Sequence, residues 1–232
     1  MDAPFIDPMN ASLREIRMVI ERLVQWKGVE PGMIFSVTDC GLYSAALGLS
    51  GFEGLEAQLD KLSAAPGAMP VIIDGEDTLV VDARGKHAWL IAEAVLDLAI
   101  DGHRRGGSGT VSVINASEPA ELAVVSAIAQ KHGLSARVAD KGGRMEIAVS
   151  AGGADNSVLD RVRREGVPVR RDLWFHLFKL SSNALAEDTV ISRTHTGTFV
   201  IHPDGRVEGD DHPEFGQDDL SMLTAEKLEY RR

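Results

Sequence analysis

Apolar residues in the first part of the chain recur every three or four positions, and from Val71 onward the pattern turns to short β-branched runs. A helical period does not fit a strand and a strand period does not fit a helix, so this change separates a helical opening from a mixed remainder. Ser12 and Glu15 form an S-x-x-E capping box, and Leu13, Ile16, Ile20 and Leu23 mark the apolar face of a helix that ends at Gly28. Ser36 with Asp39 repeats the box and predicts a helix closed by Gly48. Ser50 with Glu53 opens a third, whose buried face is Phe52, Leu55, Leu59 and Leu62.

VIID and TLVVDA on either side of GED predict a hairpin. His87–Ile100, rich in Ala and Leu and closed by Gly102, reads as a helix buried against it. DGHRRGGSG has no apolar member and is expected to be a boundary or flexible connector. Beyond it come strand TVSVI, a helix over 117–131 with Pro119 in its first turn, strands SARVAD and RMEIAVS joined by KGG, a helix through Val158, Leu159 and Val162 to Gly166, and strand VPVR. The order β-α-β-β-α-β over 110–170 predicts a ferredoxin-like unit, an antiparallel sheet with two helices on one face. Asp172 is expected to cap a last long helix that buries Trp174, Leu177, Phe178 and Leu185 on one of the sheets, and TFVIH and RVEG around PDG predict a final hairpin. The fold class is therefore α+β. A helical and hairpin lobe spans 1–101, a ferredoxin-like βαββαβ lobe with a C-terminal helix and hairpin spans 110–207, and an acidic tail with a short helix at 225–230 spans 208–232.

Charge narrows the partners. With 24 Lys+Arg against 35 Asp+Glu the net charge is −11, which opposes nucleic acid and anionic lipid, both of which need cations to neutralise phosphate. The single cysteine, Cys40, excludes an intramolecular disulfide and a CxxC metal or redox pair, and fits a reducing cytoplasm. Asp2 and Asp7 stand where an export signal would be positive, and no uncharged apolar run reaches bilayer length, so a soluble, unprocessed, cytoplasmic protein with no membrane partner is expected.

Two constellations are candidates for chemistry. Asp82, Arg84 and His87 fall at a strand-to-helix junction, where His87 could act as acid or base near neutral pH with Asp82 orienting it and Arg84 holding a substrate. A surface turn with a capping Asp explains the same residues. Ser192, Arg193 and His195 lie between the last long helix and the final hairpin, where Arg193 could pair with a carboxylate or phosphate beside Ser192, with His195 as acid or base. The alternative is a polar loop whose hydroxyls bond their own backbone. Cys40, expected in the first turn of its helix, has a nucleophile's position, but a buried and unreactive thiol is the expectation. Gly102–Gly109 has the composition of a phosphate loop, yet follows a helix where such a loop follows a strand. His195, His202 and His212, with Asp210 and Asp211, match no metal-site spacing, so no metal is assigned. Arg163, Arg164, Arg170 and Arg171 form the one basic concentration. It lacks interleaved aromatics and suits an anionic metabolite, an acidic partner or a solvated helix end better than nucleic acid.

The segments ASLREI, LYSAALGLSGFEGL, GVPVRRDLW and ISRTHTG together resemble a bacterial family known only as a domain of unknown function, over most of the chain. The resemblance implies a bacterial, cytoplasmic protein and carries no activity. The residues specify no cofactor. The function expected is that of a protein of small-molecule metabolism that binds an anionic metabolite in a cleft between the two lobes, with Ser192, Arg193 and His195 lining its deepest polar part. The alternative is a non-catalytic accessory or interaction subunit whose apolar helix faces dock on a partner or on further copies of itself.

Overall fold

A computed structural model describes residues 8–64, 67–73, 79–106, 109–152 and 157–185, together with the backbone of 199–201 and 207–209. The chain divides into two units, Met1–Leu185 and Ala186–Arg232. In the first, strand β1 (Pro8–Ala11) leads into helices α1 (Leu13–Trp26), α2 (Ile34–Leu47) and α3 (Leu55–Ser63). Strands β2 (Val71–Ile73) and β3 (Leu79–Asp82), helix α4 (Ala88–Arg104) and strand β4 (Thr110–Ile114) follow. A 3-10 turn (Pro119–Val124), helix α5 (Val125–Gln130), strands β5 (Leu134–Asp140) and β6 (Met145–Ala151), helix α6 (Val158–Glu165), strand β7 (Val167–Arg170) and helix α7 (Arg171–Ser181) complete the unit.

Helix α1 starts as its sequence dictates. The Glu15 amide donates to Ser12 Oγ at 3.4 Å and the Ser12 amide donates to the Glu15 carboxylate at 3.0 Å, and Ile16, Val19, Ile20, Leu23 and Val24 are buried. Helix α2 begins at Ile34 with no side-chain cap, so Ser36 and Asp39 lie within it. Asp39 instead accepts from Arg17 at 3.0 Å and pairs with Lys131, tying α1 and α2 to the end of α5. The expected box at Ser50 is also absent. Helix α3 begins at Leu55, although Phe52, Leu55, Leu59 and Leu62 are buried as expected.

Five strands form one sheet in the order β2-β3-β4-β6-β5. Strands β3 and β4 pair in parallel, Leu79 beside Val111 through Asp82 beside Ile114, and every other pairing is antiparallel. Val81, Val111, Val113, Met145, Ile147 and Val149 alternate to one face and are buried there. Helix α4 packs on β4 and β6, α5 on β5, and α2 on α4.

The α+β class is as expected, but the ferredoxin-like unit does not close. The order β4-β6-β5 has the anticipated antiparallel pairing, whereas β7 leaves the sheet to pair with β1, Ala11 beside Val167 through Pro8 beside Arg170. The vacated place beside β4 is taken by β3, from upstream of the glycine-rich connector and in parallel. Pro168, which has no N–H to donate, lies opposite Asn10 in this two-stranded ladder. The sheet thus crosses the expected boundary at 102–109. Helix α4 continues through Gly102 to Arg104, and the Val149 amide donates to the Gly109 carbonyl at 2.8 Å. A Cβ on Gly109 would sit 2.9 Å from both the Val149 oxygen and His103 Cβ, so this glycine provides close approach and not flexibility.

The helix expected over 117–131 is split into the 3-10 turn and the short α5. Helix α7 starts one residue before Asp172, which pairs with Arg170, and α7 packs on α1 and on the β1–β7 ladder. Trp174 and Leu177 are buried, with Trp174 edge-on to Phe52 at 5.5 Å, but Phe178 and Leu185 are exposed, at 45% and 52%. In the second unit, strands β8 (Phe199–Ile201) and β9 (Val207–Gly209) pair antiparallel as the predicted hairpin. The expected helix at 225–230 lies outside the described residues. No helix among the described residues is long and apolar enough to cross a membrane.

Gly166, between α6 and β7, has φ +73°, and a Cβ there would meet the Ala11 oxygen at 2.5 Å. Gly166→Ala should therefore cost about 2 kcal/mol or more, read by urea or thermal unfolding. Gly32→Ala, where an added Cβ meets nothing within 4 Å, should change stability little.

Candidate functional site

Strands β3 and β4, joined through α4, end side by side, and the carboxyl ends of parallel strands are where α/β crossovers leave room for a ligand. The two loops there are fastened by backbone hydrogen bonds. Ala83 donates to Ile114 at 2.9 Å, Gly85 to Asn115 at 2.7 Å, Ser117 to Lys86 at 2.9 Å and Ala88 to Ser117 at 3.0 Å. Among the described residues, the non-glycine positions with positive φ are Arg84 (50°), Asn115 (56°) and Glu118 (51°), all on these loops. Each such conformation costs about 1–3 kcal/mol, and Asn tolerates it better than Arg or Glu. Glu118 also precedes Pro119, whose ring already restricts it.

Asp82 Oδ1 accepts from the Arg84 amide at 2.9 Å and from Asn115 Nδ2 at 3.0 Å, and these two bonds hold its carboxyl below the usual range. The Arg84 side chain is exposed and makes no hydrogen bond or ion pair among the described residues. Asp82 and Arg84 thus stand together at the junction as expected. His87 does not join them. It is fully buried and caps α4, its Nδ1 accepting from the Trp89 amide at 3.1 Å. With Nδ1 an acceptor, the proton sits on Nε2 and is donated to Gln58 Oε1 at 2.7 Å. Gln58 then turns its amide nitrogen to Glu118 Oε2 at 3.3 Å, and Lys61 donates to Glu118 Oε1 at 2.6 Å. Lys61, then Gln58, lower the Glu118 carboxyl below its ordinary value.

Burial pushes His87 down to about 4 against the opposing pull of Glu121 and Glu118, so the ring is neutral at physiological pH. The expectation that His87 acts as acid or base with Asp82 orienting it is therefore corrected. The imidazole points into the core, and Asp82 bonds the loops instead. Nearby, the buried Glu121 carboxylate accepts from Trp89 Nε1 and from the Ser50 amide, both at 3.0 Å.

The start of α4 is closed to a phosphate. Its first amides, Ala88, Trp89 and Leu90, donate to the Ser117 carbonyl, to His87 Nδ1 and to the His87 carbonyl. A helix N-terminus receives an anion only where such amides are open.

Ser192, Arg193 and His195, with His202, His212, Asp210 and Asp211, lie outside the described residues. Among the described residues no group of His, Cys, Asp and Glu could hold a metal ion. Arg163, in the last turn of α6, pairs with Asp160 at 3.1 Å, and Arg170, at the end of β7 and the start of α7, pairs with Asp172 at 3.2 Å. Cys40 is fully buried, its thiol facing the Trp89 carbonyl at 3.8 Å, and burial, then Glu93 and Asp39, raises it well above the ordinary thiol value. It lies in the second turn of α2, not the first, because that helix begins at Ile34. Gln58, Asn115, Glu118 and Glu121 were not singled out by sequence. The signal that could have marked two of them is Asn115-Ala-Ser-Glu118-Pro directly after a strand, a turn-forming Asn and a pre-proline acid.

No family model and no curated protein matches this chain. Among solved structures it is similar to a malate dehydrogenase from Entamoeba histolytica, at 14% identity and a TM-score of 0.45, over 80% of this chain and 72% of that one. It is similar to a malate dehydrogenase from Pyrococcus horikoshii OT3 at 17% identity and a TM-score of 0.47, over 66% of this chain and 51% of that one. A delta1-piperideine-2-carboxylate reductase from Pseudomonas syringae pvar. tomato aligns at 18% identity and a TM-score of 0.43, over 64% of this chain and 51% of that one. These superpositions are partial and carry no inference of cofactor or activity to this chain.

Because the folded state holds His87 at about 4 against 6.5 when free, the unfolded chain takes up the proton first as pH falls. Stability is full above about pH 6.5 and declines toward pH 4, by about 2 kcal/mol between pH 7 and pH 5. Urea unfolding at the two pH values should show this loss. His87→Asn, less stable at pH 7, should lose much less between them, and an equal slope in both proteins would refute the assignment.

Proposed function

We propose that the protein binds a small anionic metabolite at the carboxyl ends of β3 and β4, with Arg84 as the principal contact. The observation that carries this reading is the placement of Arg84, Asn115 and Glu118, each in a strained left-handed conformation, on two fastened loops at the ends of a parallel pair. Backbone strain persists where surrounding structure over-determines it, and it clusters where proteins hold ligands. The sign of the ligand follows from the side chains. Asp82 accepts from the Arg84 amide and from Asn115, and Lys61 is paired with Glu118, so the cation these loops offer a ligand is the exposed Arg84 guanidinium. Arg84 offers a planar fork suited to carboxylate or phosphate. Since the start of α4 is closed, the anion is met by side chains and not by a helix dipole.

Binding is tested by calorimetric titration against a panel of carboxylates and phosphorylated metabolites, with thermal shift as the first screen. Arg84→Ala should remove a charge-assisted contact of about 1.5–3 kcal/mol, roughly a ten- to hundredfold loss of affinity. Arg84→Gly should lose the same affinity while gaining about 1 kcal/mol of stability, because glycine adopts φ of this sign without strain. Unchanged affinity in both variants, or a panel in which nothing shifts the wild-type Tm, would sink the proposal.

A further inference from the structure

Glu118 is held as few surface carboxylates are. Its backbone is strained at φ 51°, ψ 54°, and each carboxylate oxygen has one fixed donor, Gln58 on Oε2 and Lys61 on Oε1. The Gln58 donor has a direction imposed from the interior. The Trp89 amide makes His87 Nδ1 an acceptor, so Nε2 carries the proton, the Gln58 oxygen must face the ring, and the Gln58 NH2 must face Glu118. A carboxylate at the end of such a chain is kept as an acceptor, because the donor aimed at it cannot turn round. About a third of the Glu118 side chain is open to solvent, at 34%. Each of its oxygens keeps a second lone pair for a donor from outside.

The loop fastened to this one carries the exposed guanidinium of Arg84. From these two groups we infer that the ligand is a zwitterion of the amino-acid class, its carboxylate on Arg84 and its protonated amine on Glu118, with Gln58 and His87 as positioning residues. The inference rests on the binding reading above and adds the second pole of the ligand. Lys61 is the amine's competitor for Glu118. Its own side chain is 45% exposed, so it can withdraw into water when a ligand amine arrives.

The experiment is calorimetric titration of the full chain with matched pairs that differ only in the amine: L-aspartate and succinate, L-glutamate and glutarate, L-alanine and propionate. The amine-bearing member of at least one pair should bind about tenfold tighter. Glu118→Gln should abolish that preference while leaving the bare carboxylate within about twofold of wild type. Lys61→Ala, a change at an exposed side chain that leaves the fold undisturbed, should strengthen the amine-bearing ligand about two- to fivefold and the bare carboxylate not at all. Equal binding within every pair, a preference that survives Glu118→Gln, or a Lys61→Ala variant that weakens the amine-bearing ligand would overturn the inference. Carboxylates that bind through Arg84 without regard to the amine would overturn it alone. A wild-type protein that binds no member of any pair, or one whose binding ignores Arg84→Ala, would overturn the reading beneath it as well.

Discussion

An imidazole buried without a counter-ion has to be neutral, and a neutral imidazole has one donor and one acceptor to satisfy. At His87 the acceptor is spent on the Trp89 amide and the donor on Gln58, and each of these commitments places a different element. The first fixes where α4 begins. The second fixes the face that α3 turns inward, and through Gln58 it reaches the residue that follows β4 by four positions. Glu121 works in the same way from the other side of Trp89, joining the α2–α3 turn to the 3-10 segment after β4. Buried polar groups of this kind specify an arrangement because a shift in any one leaves another unpaired at a cost of about 1–3 kcal/mol.

The parallel pairing of β3 and β4 gives those interactions something to hold. A crossover helix returns the chain to the same end of the sheet, so the loop leaving β3 and the loop leaving β4 run together, and four backbone hydrogen bonds close the gap. Left-handed residues are tolerated on such loops because relaxing one would break the bonds of its neighbour. Asp82 contributes from the strand itself, accepting from both loops at once. What other βα crossovers present to a phosphate, the open amides of the helix start, is here used up internally. The polar surface that remains is made by side chains.

Much of the local structure was legible in the sequence. The Ser12–Glu15 box, the buried stripe of α1, the hairpin of β2 and β3, and the ladder of β5 and β6 follow from capping chemistry and period alone. Long-range pairing was not legible. Nothing in VPVR says that its partner is PMNA and not the edge of a five-stranded sheet, since a four-residue alternation suits either. Glycine is ambiguous in sequence for a related reason. At Gly109 it serves close approach, and composition does not distinguish a residue without a side chain that bends from one that must let a backbone pass. At the candidate site the sequence placed Asp82 and Arg84 at a strand-to-helix junction but could not tell that His87 turns inward. Orientation there depends on Gln58, which is 29 residues away and unremarkable on its own helix.

The ladder between β1 and β7 joins segments separated by about 150 residues of chain. During synthesis from the N-terminus, β1 emerges early and has no partner until Val167–Arg170 has been made. For that interval it is an unpaired nascent edge, the circumstance in which strands recruit the wrong neighbour. Its composition suits a long wait. Pro8 withholds an amide, Asn10 is a poor strand former, and at four residues it gives a stray edge little to hold. The cost of closing so long a loop grows only logarithmically with its length, so what the arrangement sacrifices is folding speed more than stability.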